Sequence, residues 1–227
     1  MSVSSAPRKK PAPAQAPPAT VADLLKRLAV PAARVRLCPP VGTATELDLI
    51  AVNGKKEGLV ELVDGVLVEK AIGFDESNWT ALLLFYVCDH VVLKRDLGKV
   101  YGPDCGYRLA PGLVRLPSGS FLSWDRHREL KRGAQLSTVP PDLAADVLRL
   151  SNTRREIERK LTEYFAAGVR LAWIVDPKRR EVRVHASPAD FIVLTATDVL
   201  DGGDVLPGFR LPLAEFFDQA EREGPAS

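Results

Sequence analysis

Residues 143–177 read LAADVLRLSNTRREIERKLTEYFAAGVRLAWIVDP, and this stretch decides the fold class. LAADVLRL, 143–150, follows the loop breaker Pro140-Pro141 and is apolar enough for a buried strand. Thr153 and Glu156 stand at capping-box spacing, and Gly168 takes the place of a C′ glycine. A helix over 153–168 therefore carries Ile157, Leu161 and Tyr164 on its apolar stripe. VRLAWIVDP, 169–177, and EVRVHAS, 181–187, follow as strands around a turn.

Working outward, Asp64-Gly65 divides GLVELVDGVLVEK, 58–70, into two β-rich halves, which predicts a hairpin. TVADLLKRL, 20–28, has an N-cap threonine, an acidic first turn and leucines at helical spacing. The segment between is read as a loop. Residues 75–96 are apolar nearly all round, which predicts a buried helix. Short strands are expected at 99–102, 106–109, 113–116 and 120–124. A polar loop should follow over 125–141, and VLPGFRLPLAEFF, 205–217, should pack a last short helix. This order predicts a mixed α/β domain with one sheet and helices against it.

The 227 residues are 46% apolar and carry a net charge of +2. That is enough for one sizeable core at 19–220, and the weak charge neither demands nor excludes nucleic acid. Residues 1–18 are rich in Pro, Ala and Ser, and are expected to be a disordered tail, as is 221–227. The most apolar run, 81–93, is too short to span a bilayer and holds Asp89 and His90. With no signal-peptide pattern and no CxxC among Cys38, Cys88 and Cys105, the reading is a cytoplasmic protein with reduced thiols. A homo-oligomer is compatible with the sequence but not decided by it.

No zinc-ligand spacing joins His90, His127 and His185, and no phosphate-binding glycine loop is present. Cys105 lacks an evident base and reads as a turn residue. Asp146 and Lys160 are more suggestive. Side chains on a helix lean toward its N-terminus, so Lys160 can lie back toward the end of the 143–150 strand. A strand carboxylate with a nearby ammonium is part of a metal-dependent phosphodiesterase site. On spacing alone, a strand-end salt bridge with a snorkelling lysine is the better account.

Six blocks add to this reading: ELVDG, RLPSGSFLSWDR, PDLAADVLRLSNT, the helix with Lys160, GVRLAWIVDP, and DVLDGGDVLPGFRLPL. In that order they resemble the Uma-two family of restriction-endonuclease-like proteins, from about Thr20 to Phe217. The resemblance implies a restriction-endonuclease-like α/β fold, with a central mixed β-sheet flanked by helices and an N-terminal hairpin. It further implies a Mg²⁺-dependent DNA endonuclease whose lysine has moved from the strand to the next helix, where Lys160 stands. Asp146 and Glu61 would be the metal-site carboxylates, and Lys160 would assist catalysis.

Two departures from the family pattern bear on activity. The family reads R-x-P-D where this chain has Arg115, Leu116, Pro117 and Ser118, so a hydroxyl stands in the place of a metal-binding aspartate. The family's Glu-Val-Leu-Ser is here Asp146-Val147-Leu148-Arg149. The shorter aspartate retracts its carboxylate by about 1.5 Å, a gap a water can bridge. Ser118 is the heavier loss, because a hydroxyl cannot balance cation charge. Asp125 lies about 23 Å along an extended strand and does not obviously replace it. The expectation is therefore an endonuclease with a degraded site. The alternative is an inactive nuclease-fold protein that binds nucleic acid or a protein partner, and a third reading is an interaction domain with no nucleic-acid role.

Overall fold

The computed structural model describes residues 18–223 apart from 56–57 and 71–72. The tail expected at 1–18 lies outside the described residues except for Pro18, and that expected at 221–227 except for 221–223, where Glu221 still belongs to the last helix and pairs with Arg180. In chain order the first elements are α1 (Val21–Leu28), α2 (Glu46–Gly54), β1 (Leu59–Val63), β2 (Val66–Lys70) and α3 (Phe74–Cys88). Then come β3 (Gly98–Tyr101), β4 (Tyr107–Ala110), β5 (Leu113–Arg115), β6 (Gly119–Ser123) and α4 (Trp124–Arg128). The remainder is β7 (Leu143–Val147), α5 (Arg154–Ala167), β8 (Leu171–Asp176), β9 (Glu181–His185), β10 (Phe191–Thr195), β11 (Val199–Asp201), β12 (Arg210–Pro212) and α6 (Leu213–Glu221).

The strands do not form the one sheet expected. A six-stranded sheet runs β10-β9-β8-β7-β6-β3, a four-stranded sheet runs β2-β1-β5-β4, and β11 and β12 form a ribbon. Only β7 and β8 pair in parallel, so the large sheet is mixed. The chain leaves the small sheet at β5 and enters the large one at β6, and Pro117-Ser118 is the crossing. Proline has no N–H to donate to a ladder, so pairing breaks there and the strand changes sheet.

Alternation along β7 and β8 assigns their two faces. Leu143, Ala145, Val147, Trp173 and Val175 pack against Trp79, Leu83 and Val87 of α3 and Phe216 and Phe217 of α6. On the other face Ala172 and Ile174 meet Ile157 and Leu161 of α5. Asp146, between Ala145 and Val147, thus points to the α5 side. In the small sheet Val60 and Leu62 pack with Leu49 of α2, which turns Glu61 to the opposite face.

Several local expectations agree with the structure. The β1–β2 turn has positive φ at both Asp64 (52°) and Gly65 (72°), the hairpin geometry the Asp-Gly pair favours. Gly168 closes α5 at φ 102°. Others differ. The segment between α1 and β1 is not all loop among the described residues: Thr45 and Asp48 form a full capping box and start α2. The helix expected at 75–96 ends at Cys88 and continues as a π-helical turn, and it is not buried all round, since Phe85, Val92 and Leu93 are exposed. The 125–141 loop begins with α4, capped by Ser123. Thr153 caps α5 through Glu156 N, but the Glu156 side chain does not complete the box. It turns inward to Arg34 at 2.9 Å and Asn152 at 3.0 Å.

Candidate active site

The C-terminal end of β7, the Pro117-Ser118 crossing, the inner face of β1 and the first turns of α5 converge. Lys160 is one helical turn before Tyr164 on the same face of α5. Its ammonium lies 3.4 and 3.5 Å from the two Asp146 carboxylate oxygens and 3.0 Å from Glu61 Oε1. Tyr164 Oη donates to Asp146 Oδ2 at 2.9 Å. Arg115, from β5, donates to Glu61 Oε2 at 2.8 Å and to Glu163 Oε2 at 2.7 Å. The Leu116 N–H donates to Glu61 Oε1 at 3.1 Å. All four sequence-predicted positions are brought to this junction. Glu61, Asp146 and Lys160 share ion pairs, and Ser118 Oγ accepts from the N–H of Val147, next to Asp146, at 3.3 Å. Asp125, by contrast, is exposed on α4 and pairs with Arg128.

Burial governs the charge states. It pushes the Glu61 carboxyl up, but Lys160, Arg115 and Lys70 more than offset it and hold the group well below the usual carboxylate range. Burial also disfavours the Lys160 ammonium, yet Asp146 and Glu61 raise its pKa above the ordinary lysine value. Burial beside Asp146 drives the Tyr164 phenol well up, so it stays a donor. Lys70 is the exception: burial brings it down to about 8. Its ammonium donates to the carbonyls of Pro117, at 3.0 Å, and Pro103, at 3.3 Å. Cys105 is pushed up to about 11 by burial, which suits a structural thiol and not a nucleophile.

A small pocket of about 200 Å³ opens over this junction, with Lys70, Glu76, Ser118, Asp146 and Arg149 in its wall. Sequence reasoning missed Tyr164, Lys70 and Glu76 as site residues, and named Arg115 in the R-x-P-D match without giving it a role. Tyr164 reads from sequence as part of the apolar stripe, and its i+4 spacing from Lys160 is the available signal. Nothing local marks Lys70 or Glu76 as neighbours of Asp146. Arg149, a positive charge where the family pattern has serine, is answered by Glu76 at 3.3 Å.

A family model described as "Putative restriction endonuclease" matches residues 46–214, most of the chain. The chain belongs to the Uma2 family. A solved structure, described as a "putative nuclease belonging to DUF820" from Anabaena variabilis, superposes with a TM-score of 0.64 at 14% identity. It covers 72% of this chain and 92% of that one. At that identity the likeness concerns the fold alone. No curated protein matches the chain.

Nucleases of this kind typically use a divalent cation, and the Uma2 residues present here do not fit one. Among the described residues no three His, Cys, Asp or Glu side chains gather as a ligand set. Both Glu61 oxygens accept from Arg115, Lys160 or a backbone N–H. Asp146 is held by Lys160 and Tyr164. The lone oxygen of Ser118 already accepts from Val147 N. The buried charges instead balance one another: Glu61, Asp146 and Glu163 against Lys160 and Arg115, with Lys70 beside them.

Proposed function

We propose that this chain is a nucleic-acid-binding protein on a nuclease fold, whose phosphodiesterase site has lost its working metal centre. Membership of Uma2 supports DNA as the partner. The observation that carries the loss of cleavage is the occupation of the site's acceptors. Ser118 presents a hydroxyl where the family has a carboxylate, and Glu61 and Asp146 spend their oxygens on Lys160, Arg115 and Tyr164. A cation would have to displace a buried ammonium and face Lys70 and Lys160 with two carboxylates only. Retained contact with phosphate is supported by Lys178 and Arg183, which make no ion pair among the described residues and line the groove adjoining the pocket.

The test is plasmid nicking across a Mg²⁺ and Mn²⁺ titration, with oligonucleotide binding measured in parallel without metal. Binding with negligible cleavage is the expected result. Robust Mg²⁺-dependent cleavage, abolished by Asp146→Ala and Lys160→Ala, would overturn the reading. Absence of both binding and cleavage would favour the interaction-domain reading instead.

A further inference from the structure

The small pocket over Asp146 opens into a much larger groove of about 930 Å³, and the two share Glu76, Arg149, Asn152 and Ile157 in their walls. The groove runs along the start of α5, past the β8–β9 turn, to β9 and β10. Three of its arginines have their charge answered: Arg149 by Glu76, Arg154 by Glu158 at 2.7 Å, and Arg179 by Asp176 at 3.8 Å. Lys178, exposed in the turn, and Arg183, half-buried on β9, make no ion pair among the described residues. Glu181 of the same wall also makes no ion pair among the described residues, so two uncommitted cations stand against one uncommitted carboxylate.

The same wall carries a feature that phosphate binding alone does not explain. Phe191 stacks on His185 with ring centroids 4.6 Å apart and planes at 24°. Phe191 remains 45% exposed, beside Val193 at 46%, and Leu150 is 89% exposed. His185 is itself 2% exposed, and its Nε2 has no hydrogen-bond partner among the described residues. Its Nδ1 lies 3.3 Å from Ser187 O. An aromatic platform, a buried unpaired ring nitrogen and unpaired cations therefore share one groove.

We infer that this groove binds a single-stranded nucleic acid, with a base stacked on the Phe191–His185 pair and the backbone led past Lys178 and Arg183 to the Asp146 pocket. The surplus of unpaired cations, Lys178 and Arg183 against Glu181, favours an anionic chain. The aromatic face selects a single strand: its unstacked bases can cover Phe191, whereas a duplex keeps its bases stacked inside and would lay charged backbone on apolar side chains. The inference rests on the nucleic-acid reading above and adds the strandedness of the partner.

Fluorescence anisotropy on the full chain, without metal, tests it with a labelled single strand and the same sequence as a duplex. The single strand should bind at least about tenfold tighter. Phe191→Ala should weaken it roughly 5- to 150-fold, the range of one base–aromatic stack, and leave duplex binding unchanged. Lys178→Gln, in an exposed turn, should weaken single-strand binding and lower its log–log salt slope by about 0.7. Equal or tighter duplex binding, or a Phe191→Ala protein that folds and binds as before, overturns the single-strand assignment while leaving the nucleic-acid reading intact. If neither oligonucleotide binds, both readings fall.

Discussion

Lys160 lies closer to Glu61, at 3.0 Å, than to Asp146, at 3.4 Å. Glu61 belongs to the four-stranded sheet, while Asp146 belongs to the six-stranded one, against which α5 packs. The lysine that family resemblance reads as catalytic is thus also the ionic tie between two sheets. Both carboxylates are buried, so the tie matters through what its loss would leave behind.

Lys160→Met should destabilise the protein by about 3–5 kcal/mol, because it leaves buried carboxylates uncompensated. Lys160→Met with Glu61→Gln should cost less than the two single changes added, with a coupling of about 0.5–3 kcal/mol. Urea unfolding of the four proteins at pH 7 measures this. Strict additivity would mean that the 3.0 Å contact does not hold in solution.

The depressed Glu61 pKa makes a pH prediction. A carboxylate held below its ordinary value of 4.5 contributes stability that is fully present above that pH. The contribution is lost progressively as pH falls below 4.5 toward the folded-state value. Glu61→Gln should therefore be less stable than the unmodified protein at pH 7 by about 3 kcal/mol or more. The gap should narrow as pH drops below 4.5. Thermal unfolding at pH 7, 5, 4 and 3 checks it, and a gap that widens in acid would contradict the assignment.

Ser118→Asp adds a carboxylate at the neighbour of Asp146 and should tighten Mn²⁺ binding at least about tenfold, or about 1.4 kcal/mol. The Asp146 side chain is still a methylene short, and Lys70 sits against the Pro117 carbonyl. A Ser118→Asp, Asp146→Glu double change should accordingly exceed either single change in both Mn²⁺ affinity and plasmid nicking. Calorimetric titration with Mn²⁺ reads the affinity. No gain from either change would place the metal defect elsewhere in the pocket.

Thr153 Oγ1 accepts from Glu156 N at 3.0 Å and donates to Ala29 O at 2.5 Å, so one hydroxyl caps α5 and pins the end of α1 to it. Thr153→Ala should cost about 1–2 kcal/mol, at the upper end for an N-cap. Thr153→Ser keeps both bonds and should recover most of it. Denaturant midpoints of the two variants give the comparison.

What the sequence determined was local. The α5 helix, its threonine cap and its closing Gly168 were legible, as was the Asp64-Gly65 hairpin, because periodicity, capping and turn chemistry act over a few residues. The α2 helix escaped because its segment has no clear apolar period and its cap uses Asp48 in place of Glu or Gln. The tertiary structure alone decided the division into two sheets at Pro117-Ser118 and the bringing of Glu61 to Lys160. It also decided the diversion of Glu156 from its own cap to Arg34. Local signals are satisfied within one turn of chain. A buried charge instead takes whichever opposite charge the packing of distant segments delivers, since leaving it unpaired in a low-dielectric interior costs more than giving up a local bond.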